Sequence, residues 1–179
     1  MASESKERRI ILAILLTSTL LTMLGVAGVL SGAYDLSLAP LKEDLREHYP
    51  ENQEVSDAEL QLLEARVTNP YRRPMAAANV VVSALVLIGS FMLSWRRKLA
   101  QWWIKQAVAA KLVWIIAYTV TLVSHVKLTF VPLPLEQSET ALATIVGTVI
   151  LVSSFVALLH LAAAYRATRP DIRQFILKN

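Results

Sequence analysis

Residues 10–32 read IILAILLTSTLLTMLGVAGVLSG, a stretch without one charged side chain. A helix needs about 20 such residues to cross a hydrocarbon core about 30 Å thick. Three further apolar runs of similar length follow, at 75–94, 107–131 and 141–164. Because unpaired backbone groups are costly in lipid, each run is predicted to be helical. The four runs therefore predict an all-α fold, an integral membrane four-helix bundle.

The composition agrees with this class. Of the 179 residues, 55% are hydrophobic and 18% are charged, whereas soluble domains carry about 25% charged residues. The values exclude a collagen, a disordered chain and a soluble enzyme. The chain has no cysteine, which excludes disulfide scaffolds, iron–sulfur clusters, thiolate metal sites and cysteine nucleophiles.

The first run also has the basic flank of a secretory signal, since Lys6, Arg8 and Arg9 precede it. A cleaved signal peptide with its cleavage site near 31–33 is therefore the alternative. The run exceeds the usual apolar region of a signal, about 7–15 residues, by a turn or two of helix. We interpret it as a retained membrane span.

Lysine and arginine counts predict the orientation in the membrane. The arm 1–9, the link 95–106 and the tail 165–179 together hold eleven basic residues, whereas 33–74 has five basic and nine acidic ones and 132–140 has no basic residue. Both termini and the middle link are predicted to be cytoplasmic, in a plasma membrane or bacterial inner membrane. The net charge of +4 then reflects topology, and no nucleic-acid partner is expected.

The outer segment 33–74 is predicted to form two short amphipathic helices that pair as a hairpin. Ser56-Asp57-Ala58-Glu59 is a capping box, and apolar residues follow it at helical spacing up to Asn69-Pro70. This pattern predicts a helix over 56–68. A weaker pattern predicts the first helix over 40–49. A solvated acidic loop is the alternative.

The two predicted cytoplasmic segments 95–106 and 165–179 have an interfacial character. In the link, Leu99, Trp102 and Trp103 share one helical face among basic residues, as in a turn of helix at the headgroup level that leads into the third span. In the tail, Pro170 can begin a helix whose apolar side lies on the membrane or against a partner. Anionic lipid headgroups are the expected partners of this basic side.

Small and polar residues mark the helix faces that should pack. Gly25, Gly28 and Gly32 lie along one side of the first span and permit close approach of another helix, either in the same chain, which we favour, or in a second copy. Polar stripes recur on the second and fourth spans, at Asn79, Ser83, Ser90 and Ser94, and at Thr144, Gly147 and Thr148. Packing is the preferred interpretation of both stripes, and a polar solute path is the alternative.

The third span holds the candidate functional residues, because ionisable groups inside a membrane indicate function by default. Lys111, Tyr118 and His125 align at helical spacing. The structural alternatives are that Lys111 extends to the near interface and that His125 bonds to Asn79 or Ser83. His160, on the fourth span, is predicted to lie most of a bilayer away from His125, which argues against a shared haem.

No acidic residue lies within the four predicted spans, and no catalytic motif is present. We therefore expect neither a cofactor, nor a metal, nor enzymatic activity. The preferred hypothesis is a non-catalytic membrane scaffold or accessory subunit that binds a membrane-protein partner or a second copy. The alternative is a small solute or ion carrier or channel that uses the polar faces of the second, third and fourth spans.

Overall fold

The computed structural model describes residues 2–38, 57–129 and 135–178, with the side chains of 2–4, 6, 57–61, 63, 135–139 and 141 left out. These residues form six α-helices and no strand. The helices are α1 (Ala2–Ser37), α2 (Asp57–Thr68), α3 (Arg72–Ser94), α4 (Ala100–Thr129), α5 (Leu135–Ala167) and α6 (Pro170–Lys178). Four of them, α1, α3, α4 and α5, are long and apolar enough to cross a membrane. The predicted all-α fold with four such helices is confirmed.

Each long helix runs antiparallel to the one before it in the bundle. Thr22 of α1 bonds to Ser90 of α3, whereas Gly32 of α1 faces Ala76 at the other end of α3. Bonds from α4 to α3, at Trp103 with Leu85 O and further along at Trp114 with Met75 O, show the same direction for this pair. The start of α4 likewise bonds to the end of α5. We call the end of the bundle that carries α2 the α2 end, and the opposite end, which carries α6, the α6 end.

The core lies in two clusters. The larger one occupies the α6 half and joins α1, α3, α4, α5 and α6, whereas the smaller one joins α2, α4 and α5 at the α2 end. Apolar side chains of α1, α4 and α5, among them Leu15, Ile116 and Leu158, are more than half exposed. Outward apolar faces of this kind suit a bilayer, where lipid covers them.

The α2 helix covers Asp57–Thr68, within the range that the capping box predicts. Val67 is buried, and Ala65 belongs to the smaller core cluster. Ser56 and the predicted helix over 40–49 lie outside the described residues, as do the side chains of Leu60 and Leu63. The hairpin itself therefore stays a prediction.

The link between α3 and α4 is shorter than predicted. Arg97 N–H donates to Met92 O and Arg96 N–H to Leu93 O, and Arg96 has φ 52°. This pattern is a Schellman end of α3 with an arginine at the position that glycine usually takes. The α4 helix then begins at Ala100, so the turn of helix that was predicted to lead into the third span is continuous with α4.

Two expectations for these segments were wrong. Trp103 does not share an exposed face with Trp102, since its indole Nε1 donates to Leu85 O on α3, 2.9 Å away. The tail helix α6 docks on its own chain, because Ile172 and Ile176 are buried in the larger core cluster.

Candidate functional site

Lys111 of α4 has its ammonium group inside the bundle. The side chain is buried, with 3% of its surface exposed. Its Nζ donates to Asn79 Oδ1 and to Ser83 Oγ at 2.8 Å, and it lies 4.3 Å from the centre of the Trp114 ring. All of these contacts are with neutral groups. Among the described residues, no carboxylate forms an ion pair with Lys111.

The position of Lys111 contradicts the expectation that it extends to the near interface. The α4 helix begins at Ala100, so Lys111 lies about 16 Å along its axis from the α6 end at 1.5 Å per residue. Its Nζ is buried against α3 and does not extend along α4 toward that end. The ammonium group instead stays with the amide and the hydroxyl of α3.

Beside this lysine lies a cavity of about 320 Å³ that touches α1, α2, α3, α4 and α5. Its polar lining is contributed by Ser31, Asp35, Arg66, Asn79, Lys111, Trp114, Tyr118, Ser153 and His160. Its apolar lining includes Leu24, Ala27, Val152 and Val156. Ala27, Ser31 and Val152 are exposed, whereas Asn79 and Lys111 are buried. The cavity is therefore accessible between α1 and α5 and closed at α3 and α4.

An ion pair closes the cavity at the α2 end. Arg66 Nη2 donates to both carboxylate oxygens of Asp35, at 2.8 and 2.9 Å. Burial is the largest single influence on the pKa of the Arg66 guanidinium and lowers it, but the hydrogen bond to Asp35 and the charges of Tyr118, Asp35 and Tyr34 together raise that pKa above its ordinary value. The guanidinium therefore stays charged, and its bonds to Asp35 tie α2 to the end of α1. Since Asp35 is already paired, it does not neutralise Lys111.

His160 lies in the cavity wall on α5 and is 1% exposed. Its Nδ1 is 2.8 Å from Val156 O, so Nδ1 is the protonated nitrogen that donates. Its Nε2 is buried and has no hydrogen-bond partner within the described part of the chain. A buried polar atom without a partner is costly, which makes Nε2 a candidate ligand contact.

Tyr118 and His125 differ in their outcome. Tyr118 lines the cavity and stacks on Trp114, with ring centres 5.1 Å apart. His125 lies at the α2 end, where its Nε2 is 3.1 Å from Thr68 Oγ1. The expected bond from His125 to Asn79 or Ser83 is wrong, because those two groups bind Lys111. His125 does not line the cavity.

The three glycines of α1 lie against α3. A Cβ on Gly25 would meet Leu87 at 2.6 Å, and one on Gly32 would meet Ala76 O at 2.8 Å. A Cβ on Gly28 would overlap Ser83 Oγ and lie 3.1 Å from Lys111 Nζ. This side of α1 therefore packs within the chain, as favoured, and Gly28 leaves the space that Ser83 and Lys111 occupy.

The two polar stripes differ in burial. On α3, Ser90 is buried and bonds to Thr22 Oγ1 and Ser18 O, both at 2.7 Å, so this part of the stripe packs as predicted, whereas Ser94 is exposed. On α5, Thr144, Gly147 and Thr148 are exposed. A Cβ on Gly147 would meet nothing within 4 Å. The packing expected for this second stripe is absent from the described chain.

No family model, curated protein or solved structure matches this chain. Among the described residues, no group of three or more histidine, aspartate or glutamate side chains could hold a metal ion. Function must therefore be inferred from the cavity itself. Its chemistry is that of a partly apolar chamber with one ammonium group bound only to neutral partners, which suits an anionic group.

Sequence reasoning missed two parts of this site. The Asp35–Arg66 pair was not predicted, because the first span was taken to end at residue 32, whereas α1 continues to Ser37. The available signal was Asp35 itself, an acidic residue three positions past an apolar run, with a basic residue in the helix predicted nearby. The gap between α1 and α5 had no signal, because it depends on how tightly the two helices pack.

Proposed function

We propose that this protein is a non-catalytic membrane protein that binds a small anionic group in the cavity beside Lys111, as a binding protein or carrier. The observation that carries the proposal is the buried ammonium group with only neutral partners. An ammonium group is costly to bury without an opposite charge. An anionic ligand in the cavity would supply that charge and would occupy space that the helices leave open.

An anion site in this cavity is a more specific form of the carrier hypothesis. The three spans named in that hypothesis each contribute to the cavity, through Asn79 on α3, Lys111 and Tyr118 on α4, and Ser153 and His160 on α5. Binding requires no broken helix and no water-filled pore, so the cavity alone supports binding or carriage rather than conduction.

The test uses Trp114 as a reporter, because its ring contacts Lys111. The protein is reconstituted in phosphatidylcholine nanodiscs and titrated with butanoate while tryptophan fluorescence is recorded. We expect a saturable change that Lys111→Met weakens at least about tenfold, since a charge-assisted hydrogen bond contributes about 1.5–3 kcal/mol. Trp114→Phe should remove the signal.

Lys105→Met is the matched control, because Lys105 is an exposed lysine on the same helix. It should leave the titration unchanged. Equal responses of wild type, Lys111→Met and Lys105→Met would refute an anion site at Lys111. Thermal unfolding of each variant shows whether the loss of binding reflects loss of the fold.

A second candidate function, a scaffold or accessory subunit, is favoured by the exposed stripe on α5. Thr144, Gly147 and Thr148 offer a close-approach surface to a helix of another chain. Because a Cβ at Gly147 meets nothing within 4 Å in the described chain, Gly147→Phe should leave thermal unfolding nearly unchanged. If the stripe binds a partner or a second copy, this variant should lose the complex in size-exclusion chromatography of mildly solubilised membranes, and retention of the complex would refute that role.

We further propose that both termini and the link between α3 and α4 are cytoplasmic, on the asymmetry of basic residues. The chain has no cysteine, so single cysteines at Ser5, Asn52, Gln101 and Gln137 can be labelled without background. An impermeant thiol reagent on intact cells should label the cysteines at 52 and 137 only. The reverse pattern would contradict the orientation.

A further inference from the structure

A second cavity, of about 330 Å³, adjoins the one beside Lys111. The two cavities share four lining residues, namely Arg66, Tyr118, Val152 and Ser153. We call the cavity beside Lys111 the polar chamber and the second one the apolar chamber. The shared residues lie on α2, α4 and α5, so the two cavities lie side by side there.

The chemical character of the two chambers differs. Lys111, Asn79 and His160 line the polar chamber only. The remaining lining of the apolar chamber is Leu62, Leu122, Thr148 and Val149. Each volume is at the lower end of the range, about 300–1,000 Å³, that ligand cavities have. The pair therefore offers a charged position at one end and a hydrocarbon-like space at the other.

Two observations place the head of such a ligand in the polar chamber. The Lys111 ammonium group contacts only neutral groups of the described chain, and His160 Nε2 is a buried nitrogen without a partner there. A carboxylate can accept from Lys111. His160 Nε2 can accept from a protonated carboxyl or donate when the ring is charged.

Access to the chambers is from the side of the bundle. Ala27 and Ser31 of α1 and Val152 of α5 form the exposed rim. Above and below this rim, α1 and α5 present exposed apolar residues such as Leu30 and Phe155, which lie against lipid in a bilayer. A molecule already dissolved in the leaflet can therefore reach the rim without passing through water.

We infer that the ligand is a single-chain anionic amphiphile of the membrane, with its carboxylate on Lys111 and its hydrocarbon chain in the apolar chamber. This inference rests on the proposed anion-binding function and names the ligand class. The charge of Lys111 binds the carboxylate of the ligand. Its hydrocarbon chain passes from one chamber to the other beside Val152 and Tyr118, which line both. A short, water-soluble acid would use the polar chamber alone.

The experiment measures equilibrium binding of radiolabelled butanoate, dodecanoate and dodecanol to nanodiscs with the protein, corrected for empty nanodiscs. Wild type should bind dodecanoate at least about tenfold more tightly than butanoate. Lys111→Met should weaken dodecanoate at least about tenfold, which corresponds to 1.4 kcal/mol, and should leave dodecanol unchanged. Lipid partition raises the apparent affinity for dodecanoate in every variant, so the chamber needs a test of its own.

Thr148→Trp provides that test, because Thr148 lines the apolar chamber and not the polar chamber. This variant should weaken the binding of dodecanoate at least about fivefold and leave the binding of butanoate unchanged. Leu151→Trp is the matched control, since Leu151 is 69% exposed on the same helix and lines neither chamber. It should change neither ligand. Thermal unfolding of both tryptophan variants checks that the fold is intact.

The outcomes separate the two proposals. If the binding of butanoate and of dodecanoate depends on Lys111 and Thr148→Trp affects neither, the anion site stands and the amphiphile is refuted. If dodecanol binds as tightly as dodecanoate and neither depends on Lys111, the chambers hold neutral chains, and the amphiphile and the anion site both fail. If none of the three probes binds, both proposals fail as well.

Discussion

Gly28→Ala tests the packing on which the site depends. The added Cβ would overlap Ser83 Oγ, lie 2.9 Å from Ser83 Cβ and 3.1 Å from Lys111 Nζ. Either α1 moves away from α3, or the Ser83 side chain moves and gives up its 2.8 Å bond to Lys111. Both responses disturb the hydrogen bonds by which Asn79 and Ser83 hold the Lys111 ammonium group.

The magnitude follows from opposing terms. Overpacking costs about 1–3 kcal/mol, and loss of a hydrogen bond to a charged group costs about 1.5–3 kcal/mol. Alanine returns about 0.5–1 kcal/mol of helix stability relative to glycine. We expect a net destabilisation of about 2 kcal/mol, which lowers Tm by about 4–8 °C for a chain of this length.

Gly147→Ala is the matched control, because its Cβ meets nothing within 4 Å. It retains the gain in helix stability without a clash, so its Tm should equal or exceed that of wild type. The assay is thermal unfolding of the purified proteins in one detergent, followed by circular dichroism. A Tm for Gly28→Ala at or above that of Gly147→Ala would refute the close approach of α1 to α3.

The double variant Gly28→Ala, Ser83→Gly locates the clash. Removal of the Ser83 side chain opens the space that the new methyl group needs. If the two side chains compete for that space, the double variant should be at least about 1 kcal/mol more stable than the sum of the single effects predicts. Additive effects would place the damage elsewhere.

Two further predictions concern the ends of the bundle. Asp35→Asn removes the charge that Arg66 binds at 2.8 Å and should cost about 2 kcal/mol in thermal unfolding; an unchanged Tm would show that the pair does not hold α2. Ile176→Asp puts a carboxylate into a site that is 3% exposed, so α6 should detach from the bundle. Trypsin should then cut faster after Arg173. An unchanged cleavage rate would contradict docking of the tail on its own bundle.

The sequence was sufficient to predict the helices of the bundle. Uncharged runs of this length have one stable form in lipid, and residues 10–32 lie within α1 and 75–94 within α3. The ends were less predictable. A charged residue such as Lys105 ends an apolar run but not a helix, so α4 begins at Ala100, seven residues before the predicted third span.

Tertiary placement could not be predicted from one sequence. Helical spacing put Lys111, Tyr118 and His125 on one face, but it did not say which of them would meet α3. Lys111 does. Because α4 begins earlier than predicted, Lys111 lies opposite Asn79 and Ser83. His125 is at the other end and meets Thr68. Residue spacing fixes a face, whereas depth depends on where each helix begins.

Stability alone does not explain why a lysine occupies the centre of this bundle. Its partners, Asn79 and Ser83, already bond to each other at 3.2 Å, so neither requires the ammonium group for satisfaction. A methionine at position 111 would keep most of the volume and avoid the cost of burying a charge. A glycine at position 28 also makes α1 less stable than an alanine would, and it leaves room for Ser83 and Lys111. These costs lie together at one cavity wall, where a function that requires a positive charge explains them better than packing does.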